Sequence, residues 1–204
     1  MASTRIPGLP LAAALVALAG CATPRLEAQW SDPARGEHAL RGARVMIACE
    51  AYEQVLKQVC QDQLAAELQA RGAIAVVGPD TSNPAPGRPL DDQQYLGAAR
   101  SAGARALLVS YITPSASNVN PGFSIGIGGS TWGSGSGGGV GISMPVGGGQ
   151  VETGYSANTR ITDVASGKLL WTAKASAPPS SDLNTQLGQL HKLVFEAADK
   201  AVMF

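Results

Sequence analysis

Apolar and polar positions in the first half of the chain switch between strand-like runs and helix-like spacing. Runs of consecutive apolar residues predict buried strands, and apolar residues recurring every three or four positions predict helices, the first ending near Gly72. The predicted elements are a strand at 44–49, a helix at 55–68, a strand at 73–77, a helix at 91–102 and a strand at 106–112. The last strand is strongly apolar, which predicts a central place in the sheet.

The second half of the chain consists of longer alternating segments. Residues 151–164 and 168–176 predict two antiparallel strands joined by a turn at 165–167, with Trp171 facing the core. Ser181 or Asp182 can cap a closing amphipathic helix. The apolar face of that helix comprises Leu183, Leu187, Leu190, Val194, Ala197 and Ala201. The whole pattern predicts an α+β fold with an α/β-like β-α-β-α-β first half and with all helices packed on one mixed sheet.

A glycine-rich insert at 122–150 separates the two halves, and residues 122–154 hold 14 of the 25 glycines. Its two arms mirror each other and alternate apolar residues with Ser or Gly, which predicts a β-hairpin. The mirrored pairs, whose residue numbers sum to 267, are Phe123 with Met144, Ile125 with Ile142 and Ile127 with Val140. The tip of the hairpin, 129–138, carries Trp132.

Four roles are open for this hairpin. Its apolar face can cover the sheet, its strand edges can pair with a partner or a second copy, or it can be a mobile loop. Insertion into a membrane is the fourth role, although each regular arm is shorter than the roughly 9–11 residues of a spanning strand. The candidate interaction residues are Phe123, Ile125, Ile127, Trp132, Val140, Ile142 and Met144.

The N-terminus has the pattern of an export signal. Arg5 precedes an apolar run at 9–19 that is too short to span a bilayer, and small residues lead up to Cys21. The run Leu18-Ala19-Gly20-Cys21 resembles a bacterial lipobox. The resemblance implies a signal peptide at 1–20, cleavage between Gly20 and Cys21, and fatty-acyl chains such as palmitate on Cys21. Ala rather than Asp at position 22 implies the outer membrane of a Gram-negative cell.

Beyond the signal, the chain divides into a tether and one domain. Residues 21–41 mix Pro, Gly and charge without period, which predicts a lipidated tether, and 42–204 predict a single periplasmic domain. Two or more acyl chains would hold such a domain stably on the membrane.

The charge balance limits the possible partners. The chain has 15 basic and 15 acidic residues, and none of either between positions 106 and 151. Phosphate binding needs an excess of Lys and Arg on one face, so a nucleic-acid partner is not expected. Lipid would provide the anchoring without a polybasic stripe.

Cys49 and Cys60 are the cysteines left after the lipobox. In an exported domain they predict a disulfide, because a strand end and the beginning of the next helix lie close together. A helix beginning as early as Ala51 would put Cys60 two turns away and make that reach doubtful. Two buried free thiols are the alternative.

Several motifs resemble catalytic signatures but lack the required context. The GxSxG at 122–126 is followed by Asp163 and His191 in hydrolase order, yet glycines rather than a helix follow Ser124. His191 is expected to be partly exposed beside the apolar stripe of its helix. The glycines at 133, 135 and 138 form a GxGxxG without a flanking helix.

The remaining polar candidates point to no cofactor. His38 and His191 are too few for a metal cluster, and Asp91 and Asp92 begin a helix whose dipole they favour. The sequence therefore predicts no catalytic residue, metal site or cofactor.

Three features of the chain resemble a known group of proteins. They are the lipobox, the ALLVSYI strand at 106–112 before a glycine-rich hairpin, and ITDVASGKLLWTAKAS at 161–176 before a terminal helix. The chain resembles the uncharacterised glycine-rich envelope lipoproteins of Proteobacteria, and more weakly lipoproteins that activate cell-wall synthases or assemble secretion pores. The anchor, the absence of a catalytic set and the hairpin together lead us to expect a non-enzymatic, lipid-anchored module that binds another envelope protein or itself. The alternative is a small-ligand-binding or hydrolytic domain with a pocket under the hairpin.

Overall fold

The computed structural model describes residues 23–37, 39–79, 92–119, 124–126, 143–145 and 151–204. Its strands are β1 (Arg25–Ser31), β2 (Arg44–Glu50), β3 (Ile74–Val77), β4 (Ala106–Val119), β5 (Ser124–Gly126), β6 (Ser143–Pro145), β7 (Val151–Asp163) and β8 (Leu169–Ser180). Its helices are α1 (Gln54–Ala70), α2 (Gln93–Ser101) and α3 (Leu183–Lys200).

Six strands form one mixed sheet in the order β1-β8-β7-β4-β2-β3. β2 pairs in parallel with both β3 and β4, and the other neighbours are antiparallel. β5 and β6 form a separate antiparallel pair. The predicted α+β class, the order of elements and the central place of β4 are confirmed.

Alternate residues of each strand face two different layers. On one side, α1 and α3 cover the sheet and enclose a core that includes the fully buried Trp171. Leu56, Cys60, Leu64 and Leu68 follow one another at four-residue spacing along α1 and form its buried stripe. Val55 is 60% exposed because it lies on the neighbouring face of the first turn.

On the other side of the sheet, α2 covers a smaller core formed with β2 and β4. Tyr95, Leu96 and Ala99 are the buried residues of this helix. The helix does not extend over β8 and β1, where the outward positions include polar side chains and the exposed Trp30. Among these positions, Lys174 pairs with Glu27 at 2.7 Å across β8 and β1.

The predicted tether at 21–41 is wrong for Arg25–Ser31, which form the edge strand β1 paired with β8. Leu40 is also fully buried in the core. An edge strand needs an apolar face on one side only, and in β1 just Leu26 packs against the core. Since a bulge between Leu26 and Ala28 also breaks the alternation, this strand has no apolar run to predict it.

The ends of several elements depend on local chemistry. Gly72 and Gly167 adopt φ values of +77° and +69°, the left-handed region that favours glycine, at the predicted helix end and strand turn. Asp182 caps α3 as predicted, because its Oδ1 accepts a hydrogen bond from the Thr185 amide at 3.0 Å. β8 continues to Ser180, beyond the predicted end at 176.

Candidate functional surface

The proposed lipidation site lies just before the first strand. Gly20 and Cys21 lie outside the described residues, and the described chain begins at Thr23. β1 begins at Arg25, so three residues separate Cys21 from the sheet.

Cys49 and Cys60 form the predicted disulfide, with their Cα atoms 6.1 Å apart. Cys60 lies in the second turn of α1, yet it reaches Cys49 because α1 packs directly over β2. Both residues are buried in the core between the sheet and the two helices. The bond therefore links the first parallel strand to the helix that follows it.

His191 is fully buried, so the expected partial exposure is wrong. Its Nδ1 lies 2.9 Å from Oε1 of Gln63 on α1, a partner 128 residues away that its own helix pattern could not reveal. Burial lowers the pKa of His191 from its ordinary 6.5 to about 4. This histidine is a neutral part of the helix interface.

Asp163, the other partner of the apparent hydrolase motif, is part of a turn. Its Oδ1 accepts hydrogen bonds from the Ser166 hydroxyl at 2.6 Å and from the Ser166 amide at 2.7 Å. These hydrogen bonds hold the pKa of Asp163 below its ordinary value. Ser124 lies in β5, and residues 127–142 that follow this strand lie outside the described part. Asp163 and His191 are thus held by different partners.

A buried polar cluster near the start of α2 was not predicted. Asp92 is buried, its Oδ2 accepts a hydrogen bond from the Thr162 hydroxyl at 2.8 Å, and it pairs with Arg160 at 3.4 Å. Asp92 lies at the N-terminus of α2 as predicted, but its side chain makes no capping hydrogen bond there. Nearby in the same layer, the Tyr95 hydroxyl donates to the buried Glu50 carboxylate. Asp91 lies outside the described residues.

The distal parts of β4 and β7 pair with each other beyond the end of β2, and we name this pairing the distal ribbon (113–119 paired with 151–156). Its register runs from Thr113 opposite Ser156 to Val119 opposite Val151. β2 ends opposite Tyr111, so the distal part of β4 pairs with β7 alone. Residues 113–117 are all exposed.

Bulges and a glycine shape the base of the distal ribbon. The register of β4 shifts between Pro114 and Ala116, and that of β7 shifts around Gly154. A Cβ on Gly154 would lie 2.9 Å from the Ala177 carbonyl oxygen, so the strands approach too closely there for any other residue. On the other side, the side-chain amide of Gln186 donates to the Thr153 carbonyl at 2.9 Å.

A cleft of about 430 Å³ lies where the distal ribbon meets β1 and β8. Its lining combines two charged residues of β1 with small polar and apolar residues, and comprises Thr23, Arg25, Glu27, Ser115, Ala116, Ser176, Ala177 and Pro178. The cleft places the first described residues of the chain beside the distal ribbon.

The glycine-rich hairpin is antiparallel where it is described, but its predicted register is wrong by two residues. Ile125 pairs with Met144 rather than Ile142, and Ser124 pairs with Pro145. An alternation of period two is satisfied equally by every even shift, so sequence symmetry cannot fix the register. The other candidate residues of this hairpin lie outside the described part: Phe123, Ile127, Trp132, Val140 and Ile142.

Both edge strands of the main sheet carry exposed apolar side chains. On β3, Ile74 is 53% and Val77 is 57% exposed, and on β1 Trp30 is 49% exposed. β3 has only four residues and pairs on one side. Short edges of this kind limit, but do not abolish, pairing with another strand.

Within the described residues, no helix has the length and apolarity needed to cross a membrane. Across the same ranges, no three His, Cys, Asp or Glu side chains are grouped so that they could hold a metal ion.

No protein-family model and no curated protein sequence matches the chain. Solved structures similar to it include a PelC dodecamer from Paraburkholderia phytofirmans, which is 16% identical in sequence and has a TM-score of 0.49. The match covers 84% of this chain and 95% of that chain. The lipoprotein GNA1162 from Neisseria meningitidis has 17% identity over 78% of this chain and 97% of its own, with a TM-score of 0.42. A PDZ domain protein from Parabacteroides distasonis is 11% identical and has a TM-score of 0.41, and the match covers 84% of this chain and 35% of that chain.

Proposed function

We propose that this chain is a bacterial lipoprotein, anchored by fatty-acyl chains on Cys21, whose domain is a non-enzymatic binding or assembly module. The observation that carries the proposal is the run Leu18-Ala19-Gly20-Cys21, which ends three residues before the first strand of the domain. A leader cut before Cys21 would leave the whole sheet intact. The expected location is the periplasmic side of the outer membrane.

The disulfide supports export. Bonds of this kind persist in oxidising compartments and are rare in the cytosol. The Cys49–Cys60 bond lies in the core, where it closes the connection between β2 and α1. A cytosolic chain would have two thiols there instead.

The contacts of the candidate catalytic residues support a binding role over catalysis. Asp163 accepts two hydrogen bonds within its own turn, and His191 is buried against Gln63. A hydrolytic triad needs these two side chains to contact each other and a nucleophile. Exposed apolar side chains on β1 and β3 offer contact area to another envelope protein or to a second copy.

Mass spectrometry of the protein made in a Gram-negative host tests the anchor. We expect a mature chain that starts at Cys21 and carries diacylglyceryl and acyl groups. Cys21→Ser should abolish the modification and release the domain from membranes, whereas Cys49→Ser should leave the modification in place. Ala22→Asp should move the lipidated protein to the inner-membrane fraction. An unmodified Cys21, or an intact leader in the cytosol, would refute the proposal.

Crosslinking followed by pull-down from detergent extracts tests the binding role. We expect a reproducible partner, or a second copy of the chain, whose capture falls when residues 122–150 are replaced by a short turn. The same partners captured by both forms would show that the hairpin is not the contact surface. Turnover of an ester or amide substrate that is lost in Ser124→Ala would instead favour the hydrolytic alternative.

A further inference from the structure

The link between the proposed lipid and the domain is short, which restricts how the domain lies on the membrane. Thr23 already lines the cleft that Ser115 and Ala116 of the distal ribbon also line. Two residue steps separate Thr23 from Cys21, and fully extended they span about 7 Å. The lipid attachment point is therefore held near the base of the distal ribbon.

The sheet register shows which end of the domain this is. One level of the sheet contains a residue from each of four neighbouring strands. In the order of the strands β1, β8, β7 and β4, these residues are Arg25, Ser176, Ser156 and Thr113. β1 runs away from this level into the domain, so the residues before Arg25 leave in the opposite direction. β4 leaves in that same direction and continues to Val119. The anchor and the distal ribbon thus project from one end of the sheet.

Chain lengths allow Cys21 and the end of the distal ribbon to reach similar distances from the sheet. From Ala116 to Val119 the ribbon advances three residues, or about 10 Å at the usual strand rise. The link from Thr23 to Cys21 reaches at most about 7 Å in that direction. The headgroup layer on each side of a bilayer is roughly 5–7 Å thick. A lipid on Cys21 therefore brings the end of the ribbon as far as the headgroups.

We infer that the distal ribbon lies against the headgroup layer of the bilayer that holds the Cys21 lipid, so that the membrane surface is its partner. This inference rests on the lipid anchor of the proposed function. It assigns the ribbon a membrane contact made by its two strands at the interface.

The composition of the β4 strand of the ribbon suits this contact. The chain has no charged residue from Ala106 to Val151, so the distal strand of β4 carries only small polar and apolar side chains. Moving a charge toward a low-dielectric layer is costly, whereas uncharged polar groups lose much less. The β7 strand of the ribbon contributes one charged residue, Glu152, opposite Asn118. The uncharged strand is therefore β4, whose residues 113–117 are exposed.

Site-directed spin labelling of the lipidated full chain tests the contact. Ser117→Cys places a nitroxide on the distal ribbon, and Ala165→Cys places a matched exposed label in the turn at the far end of β7. The native disulfide and the lipid on Cys21 leave the introduced thiol as the site of labelling. Each protein is reconstituted in vesicles of phosphatidylethanolamine and phosphatidylglycerol, and label accessibility to oxygen is compared with accessibility to a water-soluble nickel chelate.

We expect the ratio of oxygen to nickel accessibility to rise several-fold at position 117 on vesicles, relative to the unlipidated Cys21→Ser protein, and to stay unchanged at 165. An insertion of about ten Gly and Ser residues after Ala22, which spans roughly 17 Å as a flexible coil, should return position 117 to the value at 165 while the protein still floats with vesicles. The insertion lies ahead of β1 and leaves the fold untouched.

The other outcomes separate the two proposals. Vesicle-bound protein whose labels at 117 and 165 are equally accessible would overturn the membrane contact and leave the lipoprotein assignment standing. A chain that does not float with vesicles would overturn both. Spontaneous disulfide-linked dimers of Ser117→Cys would identify a second copy as the partner of the ribbon and overturn the bilayer.

Discussion

Nδ1 of His191 lies 2.9 Å from Oε1 of Gln63, and this contact joins α3 to α1 above the sheet. The Gln63 side-chain amide donates to the Asn184 carbonyl oxygen at 3.0 Å, which fixes its orientation. Since Oε1 of Gln63 can only accept, Nδ1 of His191 carries the imidazole proton. Nε2 is then unprotonated in an apolar core, where it has no hydrogen-bond partner among the described residues.

Stability is therefore expected to fall as the pH drops from about 6.5 toward 4. Burial lowers the pKa of His191 to about 4 in the folded protein, while in the unfolded chain it is near 6.5. Between these values the unfolded state binds a proton that the folded state does not, so acid favours unfolding. The full effect of this shift is on the order of 3 kcal/mol. Urea unfolding at a series of pH values measures it.

His191→Asn is the matched control for this pH dependence. Asparagine places an amide donor near the position of Nδ1 but does not titrate. We expect the variant to lose the slope between pH 6.5 and 4 while keeping the fall at lower pH from Asp163 and Asp182, whose pKa values hydrogen bonds hold below the ordinary value. An equal slope in the wild type and the variant would contradict a neutral buried His191.

The disulfide should stabilise the fold by constraining the unfolded chain. Cys49 and Cys60 are 11 residues apart, and a loop of this length corresponds to about 3 kcal/mol. We expect the double variant Cys49→Ala/Cys60→Ala to unfold at lower urea, with a loss of that order. Labelling of the denatured, unreduced domain provides the direct check, and two reactive thiols there would contradict the bond.

The sequence predicts elements that are periodic and buried, and it misses those that depend on a distant partner. β2 and β4 are apolar on both faces, so their runs predict them without knowledge of the sheet. β1 has one apolar contact with the core, at Leu26, and its pairing with β8 is decided by chain folding. Its mixed composition is therefore typical of a tether as well as of an edge strand.

The same limit applies to the candidate site residues. The Cys49–Cys60 bond was predicted because strand end and helix are neighbours in the chain. The burial of His191 depends on Gln63 in another helix, and that of Asp92 depends on Thr162 in another strand. Long-range contacts of this kind leave no spacing signal in a single sequence.

Gln186 is expected to hold the base of the distal ribbon in place. Its side-chain amide donates to the carbonyl oxygens of Thr153 and Pro178, beside the register shift between Thr153 and Tyr155. Gln186→Leu removes both hydrogen bonds from partly buried acceptors and should reduce the free energy of unfolding by about 1–3 kcal/mol.

Gln189→Leu is the matched control for Gln186, because it makes the same change at an exposed position of the same helix. We expect its free energy of unfolding to stay within about 0.5 kcal/mol of the wild type. Equal losses in the two variants, measured by urea unfolding, would show that the amide contacts of Gln186 do not matter.

Two glycine-to-alanine substitutions should have opposite effects on stability. A Cβ on Gly154 would lie 2.9 Å from the Ala177 carbonyl oxygen and 3.2 Å from the Pro179 nitrogen, both backbone atoms that cannot rotate away. Gly154→Ala should therefore destabilise the domain by about 1–3 kcal/mol. Gly97 lies inside α2 with open space around its would-be Cβ. Gly97→Ala should stabilise it by about 0.5–1 kcal/mol, because alanine favours the helix.

Thermal unfolding of the two variants and the wild type tests whether β7 and β8 approach each other this closely at the base of the distal ribbon. A melting temperature raised in Gly97→Ala and lowered in Gly154→Ala is the expected pair of results. If Gly154→Ala melts at or above the wild type, the backbone of β7 has room for a side chain there. The close approach to β8 would then be absent, and the ribbon would leave the sheet without the bulge that now sets its base.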